Sequence, residues 1–239
     1  MRFFPHLVKK KQYVFPPIAK QVTIAKAPVF SNGYGYTSAQ TIISPTTRYF
    51  TVAVKGLVQS AIISTYAYFI HIRIGRINLY VDLNACTNAE ITDSSGKYYW
   101  IESCGRTGYL TITFIRRGTQ IELWLDDNLV GSKTISDLDL WVPGTDVFVG
   151  TSFNAADPGT IMTHVYVYPD YALTPDEVKQ LVKGYVPKPN NLTLRLEPDS
   201  LECSEYTGGI YLCTKWYDKS GKGNHVDLEN VFAVPMAVE

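Results

Sequence analysis

Residues 216–228, WYDKSGKGNHVDL, place Asp218, Ser220, Gly221, Gly223, Asn224 and His225 close together before an apolar pattern resumes. Phosphate binding, histidine catalysis, cation binding and plain turn formation all use such residues. A phosphate loop needs G-x-x-x-x-G-K-[ST] between a strand and a helix. Here the glycines stand two apart around Lys222 and a strand-like stretch follows, so that chemistry is excluded. A catalytic histidine needs a nucleophile or an orienting carboxylate, and the sequence marks neither for His225. His6, His71 and His164 are scattered and read as hydrogen-bonded structural side chains. Calcium collects Asp, Asn and backbone oxygens from loops. Asp218, Asn224, Asp126, Asp127, Asn154 and Asp157 all fall in predicted turns, where the same residue types also serve turn formation. The loop reads first as a structural turn, with calcium as the one cofactor it could hold at Asp218 and Asn224 or, elsewhere, at Asp126 and Asp127.

The four cysteines offer a second chemistry. Cys203 and Cys213 bracket SEYTGGIYL, whose Thr207-Gly208-Gly209 reads as a hairpin turn that brings them within disulfide range. Cys86 and Cys104 form the other candidate pair, although four cysteines allow three connectivities. The spacings fit no zinc pattern. Bridges of this kind imply a setting outside a reducing cytosol, or a hyperthermophile.

These residues must be held by strands. In 66–83, YAYFIHIRIGRINLYVDL, Tyr68, Ile70, Ile72 and Ile74 share one side, followed by Ile77, Leu79, Val81 and Leu83. Period two argues for half-buried strands, and Gly75-Arg76 suits a II′ turn. YLTITFIRRGTQIELWLDDNLVGSKTI repeats the pattern with turns at Gly118-Thr119 and at Asp126-Asp127-Asn128. DVFVGTSF and TIMTHVYVY add two strands, and the whole predicts an all-β sandwich. One helix is expected near 174–184: Thr174 caps it, Pro175 opens it, and Glu177 completes a capping box. Val178, Leu181, Val182 and Tyr185 form its apolar face, and Gly184 ends it.

The 239 residues are 46% hydrophobic and 18% charged, an ordinary globular balance. No apolar run approaches the roughly 20 residues needed to span a bilayer, and the N-terminus lacks the pattern of a secretory signal. Net charge is zero but unevenly spread. Residues 1–81 contain no Asp or Glu, so all 22 acids follow, beginning at Asp82. Residues 1–21 read as a basic arm. The bases are dispersed rather than clustered with aromatics, which argues against nucleic acid as a partner.

Residues 98–185 resemble the LamG-like jelly rolls of the concanavalin A-like lectin/glucanase superfamily. The order LTITFIRRGTQIELWLDDNLVGSKTI, DVFVGTSFN, GTIMTHVYVYPDYALTPDEVKQL follows the family, and the helix motif at 173–181 is its most specific piece. YDKSGKGNH resembles the family's D-x-SGNGNHG loop, which there lies near the start of the domain after a strand like LTLRLEPDSL (192–201). Residues 190–239 are therefore either the start of a second repeat or, the favoured reading, the end of a circularly permuted domain spanning 22–239. The chain as a whole also resembles proteins of spherical viruses of hyperthermophilic archaea, which implies no activity.

The resemblance implies a jelly-roll sandwich of two antiparallel sheets and a non-enzymatic recognition or adhesion function. The ligand would be a carbohydrate or glycoprotein surface met outside the cell or on a virion. Pyranose rings need open aromatic faces, and Trp141, Trp100 and Trp124, near strand ends or turns, are the candidates. Two alternatives remain: a structural protein that assembles as a homo-oligomer or particle, and a glycanase. Glycosidases need carboxyl groups about 5–9.5 Å apart, whereas Glu122 and Asp126 in ELWLDD would stand about 13 Å apart on a strand.

Overall fold

The structure, a computed structural model, describes residues 23–37, 42–58, 68–82, 84–140, 147–150 and 160–238. It is all-β apart from one α-helix and two short 3₁₀ turns. The strands are β1 (Thr23–Thr37), β2 (Tyr49–Val58), β3 (Tyr68–Ile74), β4 (Ile77–Asp82) and β5 (Thr87–Thr92). Next come β6 (Tyr98–Ser103), β7 (Gly108–Arg117), β8 (Gln120–Leu125), β9 (Asn128–Thr134) and β10 (Val147–Gly150). After β11 (Thr160–Tyr168) and helix α1 (Pro175–Val182) follow β12 (Leu194–Leu196), β13 (Leu201–Thr207), β14 (Ile210–Trp216) and β15 (Val226–Val238).

The alternation expected in the sequence is what builds the core. Ile70, Ile72, Ile74, Ile77, Leu79 and Val81 all point inward and are buried. Gly75 takes φ +57° between β3 and β4, and Gly208 and Gly209 take φ +56° and +82° between β13 and β14. The helix carries its full capping box between Thr174 and Glu177. It closes with Gly184 at φ +88°, whose amide donates to Leu181 O while Tyr185 donates to Gln180 O, a Schellman arrangement.

Every ladder between the strands is antiparallel, and the ladders join into one sheet. Its main path runs β6-β5-β4-β3-β10-β1-β11-β2-β7-β8-β9. The hinge of this path is β1. One edge of β1 pairs with β15 from Thr23 to Tyr36, while the other edge pairs with β11 at Val29 and Phe30 and with β10 from Tyr34 to Thr37. A register shift between Phe30 and Tyr34 marks the change of partner. Close backbone approach at this junction requires glycine at Gly33, where a Cβ would stand 2.3 Å from Asn230 O. A Cβ on Gly35 would stand 2.5 Å from Val226 Cγ1 and 2.6 Å from Leu228 Cδ2.

The two ends of the path curl toward each other. A Cβ on Gly131 of β9 would meet Ile101 Cγ2 of β6 at 2.4 Å, and Asp93 bridges Leu140 beside them. The result is a near-barrel around a core that includes Phe30, Phe50, Phe114, Ile72 and Trp216. The expectation of two separate sheets therefore meets a single ladder in which β1 is shared. β12 joins β11, and β15 joins both β1 and β14, so residues 194–238 pair with the same sheet.

Helix α1 covers one outer face. Val178 and Leu181 pack with Ala53, Ile115, Trp124, Tyr166 and Tyr168, forming a second apolar cluster. No helix among the described residues is long and apolar enough to cross a membrane.

Candidate functional site

The C-terminal loop is tied by its own hydrogen bonds. Asp218 is buried, and its Oδ1 accepts from the Arg195 amide at 2.9 Å and the Ser220 amide at 2.8 Å. Its Oδ2 accepts from Ser220 Oγ at 2.7 Å and from the Asn224 amide at 3.0 Å. Asn224 in turn donates to Thr193 O at 2.7 Å, and His225 Nδ1 accepts from the Asp218 amide at 3.0 Å. The loop thus fastens β12 to the start of β15, and His225 serves the backbone.

Asp126 and Asp127 form the turn between β8 and β9, Asp126 at φ +55°. Asp126 accepts from the Thr111 amide at 2.9 Å and pairs with Arg106 at 3.2 Å. Among the described residues, the one group of three His, Cys, Asp or Glu side chains within reach of a common ion is Cys86, Glu102 and Cys104. Two of its members are joined in a disulfide, and a metal needs the thiolate. Disulfides link Cys86 to Cys104 and Cys203 to Cys213, and no described cysteine is free.

Glu122 has both oxygens engaged, by Arg117 at 3.1 Å and by the Trp124 indole N–H at 2.9 Å. His71 and His164 are both pushed down to about 4 by burial, so they are neutral near pH 7. Lys55, lowered by burial, donates to Val182 O at the C-terminal end of α1, where a cation meets the helix dipole favourably.

The tryptophans separate sharply. Trp124 is 7% exposed beneath α1, so it offers no open ring. Its expected role as a sugar platform does not hold, because the strand that carries it lies under the helix. Trp216 is fully buried and donates to Glu197 O at 2.8 Å. Trp100 is 48% exposed on the outer side of β6, with Lys133 Nζ 5.2 Å from its ring centroid. Trp141, Asn154 and Asp157 lie outside the described residues, as do His6, Leu83 and the basic segment 1–21.

Trp100 belongs to a larger surface that the ladders assemble opposite the helix-covered face. Register places Trp100, Glu90, Asn78, Arg73, Phe148, Tyr36 and Asp227 in one row across seven strands. A parallel row holds Glu102, Asn88, Tyr80, His71, Gly150, Tyr34 and Glu229. Period two turns the core residues between them inward. Trp100, Glu102, Arg73, Tyr36, Asp227 and Glu229 are exposed, whereas Phe148, Asn88 and Gly150 are covered by their neighbours. Phe148 is the anchor, with Tyr34 stacked at 6.0 Å, His71 at 5.2 Å and the Arg73 guanidinium 5.5 Å from its centroid. The Glu90 carboxylate accepts from Tyr80 Oη and from Asn78 Nδ2. Tyr36 is 49% exposed.

Sequence reading found Trp100 but missed the rest. Tyr34 and Tyr36 in SNGYGYT, and Tyr98 and Trp100 in YYWI, repeat aromatics at period two, the one local sign of an aromatic strand face.

No protein family matches the chain, and no curated protein matches it. Solved structures do share the fold. A candidate carbohydrate-binding protein from Bacteroides ovatus superposes over 92% of this chain and 63% of its own, with TM-score 0.62 and 16% identity. The binding domain of botulinum neurotoxin serotype D covers 81% of this chain and 54% of its own, with TM-score 0.55 and 13% identity. The binding domain of Paraclostridial Mosquitocidal Protein 1 covers 82% and 57%, with TM-score 0.55 and 14% identity. The chain spans between about half and two thirds of the length of these structures. The fold defines an all-β class that includes binding domains. At such identities the likeness establishes the fold, and function must be argued from the site.

Proposed function

We propose that this protein is a non-enzymatic recognition or adhesion module that binds glycans through the outer face running from β6 to β1. The observation that carries the reading is an asymmetry between the two outer faces. One is sealed by α1, while the other presents the exposed rings of Trp100 and Tyr36 in a cross-strand row with amide and carboxylate side chains between and beside them. Rings stack on the apolar faces of sugars and the polar groups meet their hydroxyls. The solved neighbours, a candidate carbohydrate-binding protein and the binding domains of a neurotoxin and of a mosquitocidal protein, support a binding role. Within the all-β class the fold is a lectin-like jelly roll in circularly permuted order, supported by the return of β12 to β11 and of β15 to β1. The two disulfides fit an oxidising, extracellular setting. A glycanase reading gains nothing from Glu122, whose oxygens already serve Arg117 and Trp124.

A glycan-array screen of the purified protein, in calcium and again in EDTA, tests the proposal. Binding to a related set of sugars that persists in EDTA and falls in Trp100→Ala supports it. A blank array, together with salt-sensitive self-association, overturns it in favour of an assembly protein.

A further inference from the structure

The charge on the aromatic face narrows its ligand. The outward positions of β4, β5, β6 and β15 contribute five carboxylates: Asp82, Glu90, Glu102, Asp227 and Glu229. Among the described residues, Arg73, Lys133 and Lys215 stand among or beside them. Arg73 lies over Phe148, Lys133 lies 5.2 Å from the Trp100 centroid, and Lys215 pairs with Asp227 at 3.3 Å. A sialylated, uronic or sulfated sugar would meet like charge here, which disfavours it. Uncharged hydroxyls suit the same groups, because an ionised carboxylate offers about four acceptor sites, and at Glu90 Tyr80 and Asn78 occupy two.

Geometry adds length. Trp100 and Tyr36 stand in the same row, both half exposed, on β6 and β1. Five strand spacings separate them, about 24 Å measured along the curved sheet. One sugar ring cannot reach both, whereas an extended chain can.

We propose that the ligand of this face is an extended, uncharged polysaccharide laid across the strands, stacked on Trp100 at one end and Tyr36 at the other. The inference rests on the glycan-binding reading and specifies its substrate class.

The test prints neutral oligosaccharides beside their sialylated and sulfated counterparts, then titrates the neutral hits at increasing chain length. Neutral chains should bind at least tenfold more tightly than their charged counterparts at low salt, with the gap narrowing as salt screens the face. Glu102→Gln should narrow the same gap between charged and neutral chains. Trp100→Ala and Tyr36→Ala should each cost at least tenfold on a long chain, while the shortest bound oligosaccharide responds to one of them alone. Hits confined to charged sugars, yet sensitive to Trp100→Ala, overturn the ligand class and leave the face in place. Neutral binding indifferent to both substitutions, or a blank array, overturns the face and the inference with it.

Discussion

Replacing Asp218 with alanine separates a structural loop from a cation site. Its carboxylate accepts from three backbone amides, those of Arg195, Ser220 and Asn224, and from one hydroxyl. The Asn224 bond is buried and the others part-buried, so water can replace some partners and not all. Hydrogen bonds to a charged group contribute about 1.5–3 kcal/mol, and a buried donor left unmade costs about 1–3 kcal/mol. The bonds share one acceptor and do not add fully, which gives a loss of about 4 kcal/mol for Asp218→Ala. That is a large part of the about 5–15 kcal/mol that holds a typical domain together. Asp218→Asn keeps one acceptor oxygen and turns an N–H toward the remaining donors, so it should lose about half as much. Urea denaturation reads both as a lower midpoint at unchanged slope. The same melts in calcium and in EDTA complete the test. An ion bound only by the folded state stabilises by about 2.7 kcal/mol at a hundredfold excess over its Kd. The wild-type midpoint should not move. A loss under about 1 kcal/mol in Asp218→Ala would refute the reasoning, as would a calcium shift in wild type that the variant lacks.

Acid should weaken the fold through His71 and His164, held near 4 by burial against about 6.5 in the unfolded chain. The unfolded state then binds more protons between about pH 6.5 and 4. Stability is complete above that window and falls as pH drops through it, by up to about 1.4 kcal/mol per pH unit for each histidine. Urea melts across this range should flatten in His164→Gln, and an unchanged slope contradicts the assignment. The disulfides close segments with separations of 18 and 10 residues. Chain entropy puts their contributions at about 3.2 and 2.7 kcal/mol, so replacing Cys203 and Cys213 together by alanine should lower the melting temperature. No change would show that the hairpin is indifferent to its staple. Gly35→Ala should cost about 1–3 kcal/mol by driving a methyl into Val226 and Leu228, measured by denaturation. A neutral result would mean that the β1–β15 junction yields easily.

What the sequence made legible was local. The hairpin at Gly75, the turn at Gly208-Gly209, the capped helix and both cysteine pairs depend on residues close in the chain, where propensity and period two speak directly. The pairing of β1 with β15 joins residues about two hundred positions apart, and no local pattern announces it. That long-range register decides which aromatics share a face. Trp124 and Trp100 look alike as aromatics within alternating strands, yet one strand lies under α1 and the other does not. Phe148 in DVFVGTSF is buried, and only the register shows that Tyr34, His71 and Arg73 are what cover it. Asp218 showed the reverse. Its turn chemistry was readable, while the donors from β12 that occupy its carboxylate were not.

The central claim is that the exposed aromatic rows, and not the helix-covered side, hold the glycan. The measurement that tests it most directly is a titration of the best array hit into wild type, Trp100→Ala, Tyr36→Ala and Tyr185→Ala. Tyr185, 70% exposed just beyond α1, is the control on the opposite side. The account predicts a loss of at least tenfold, about 1.4 kcal/mol, for each of the first two and none for Tyr185→Ala. Equal loss in all three, or loss in Tyr185→Ala alone, would contradict it.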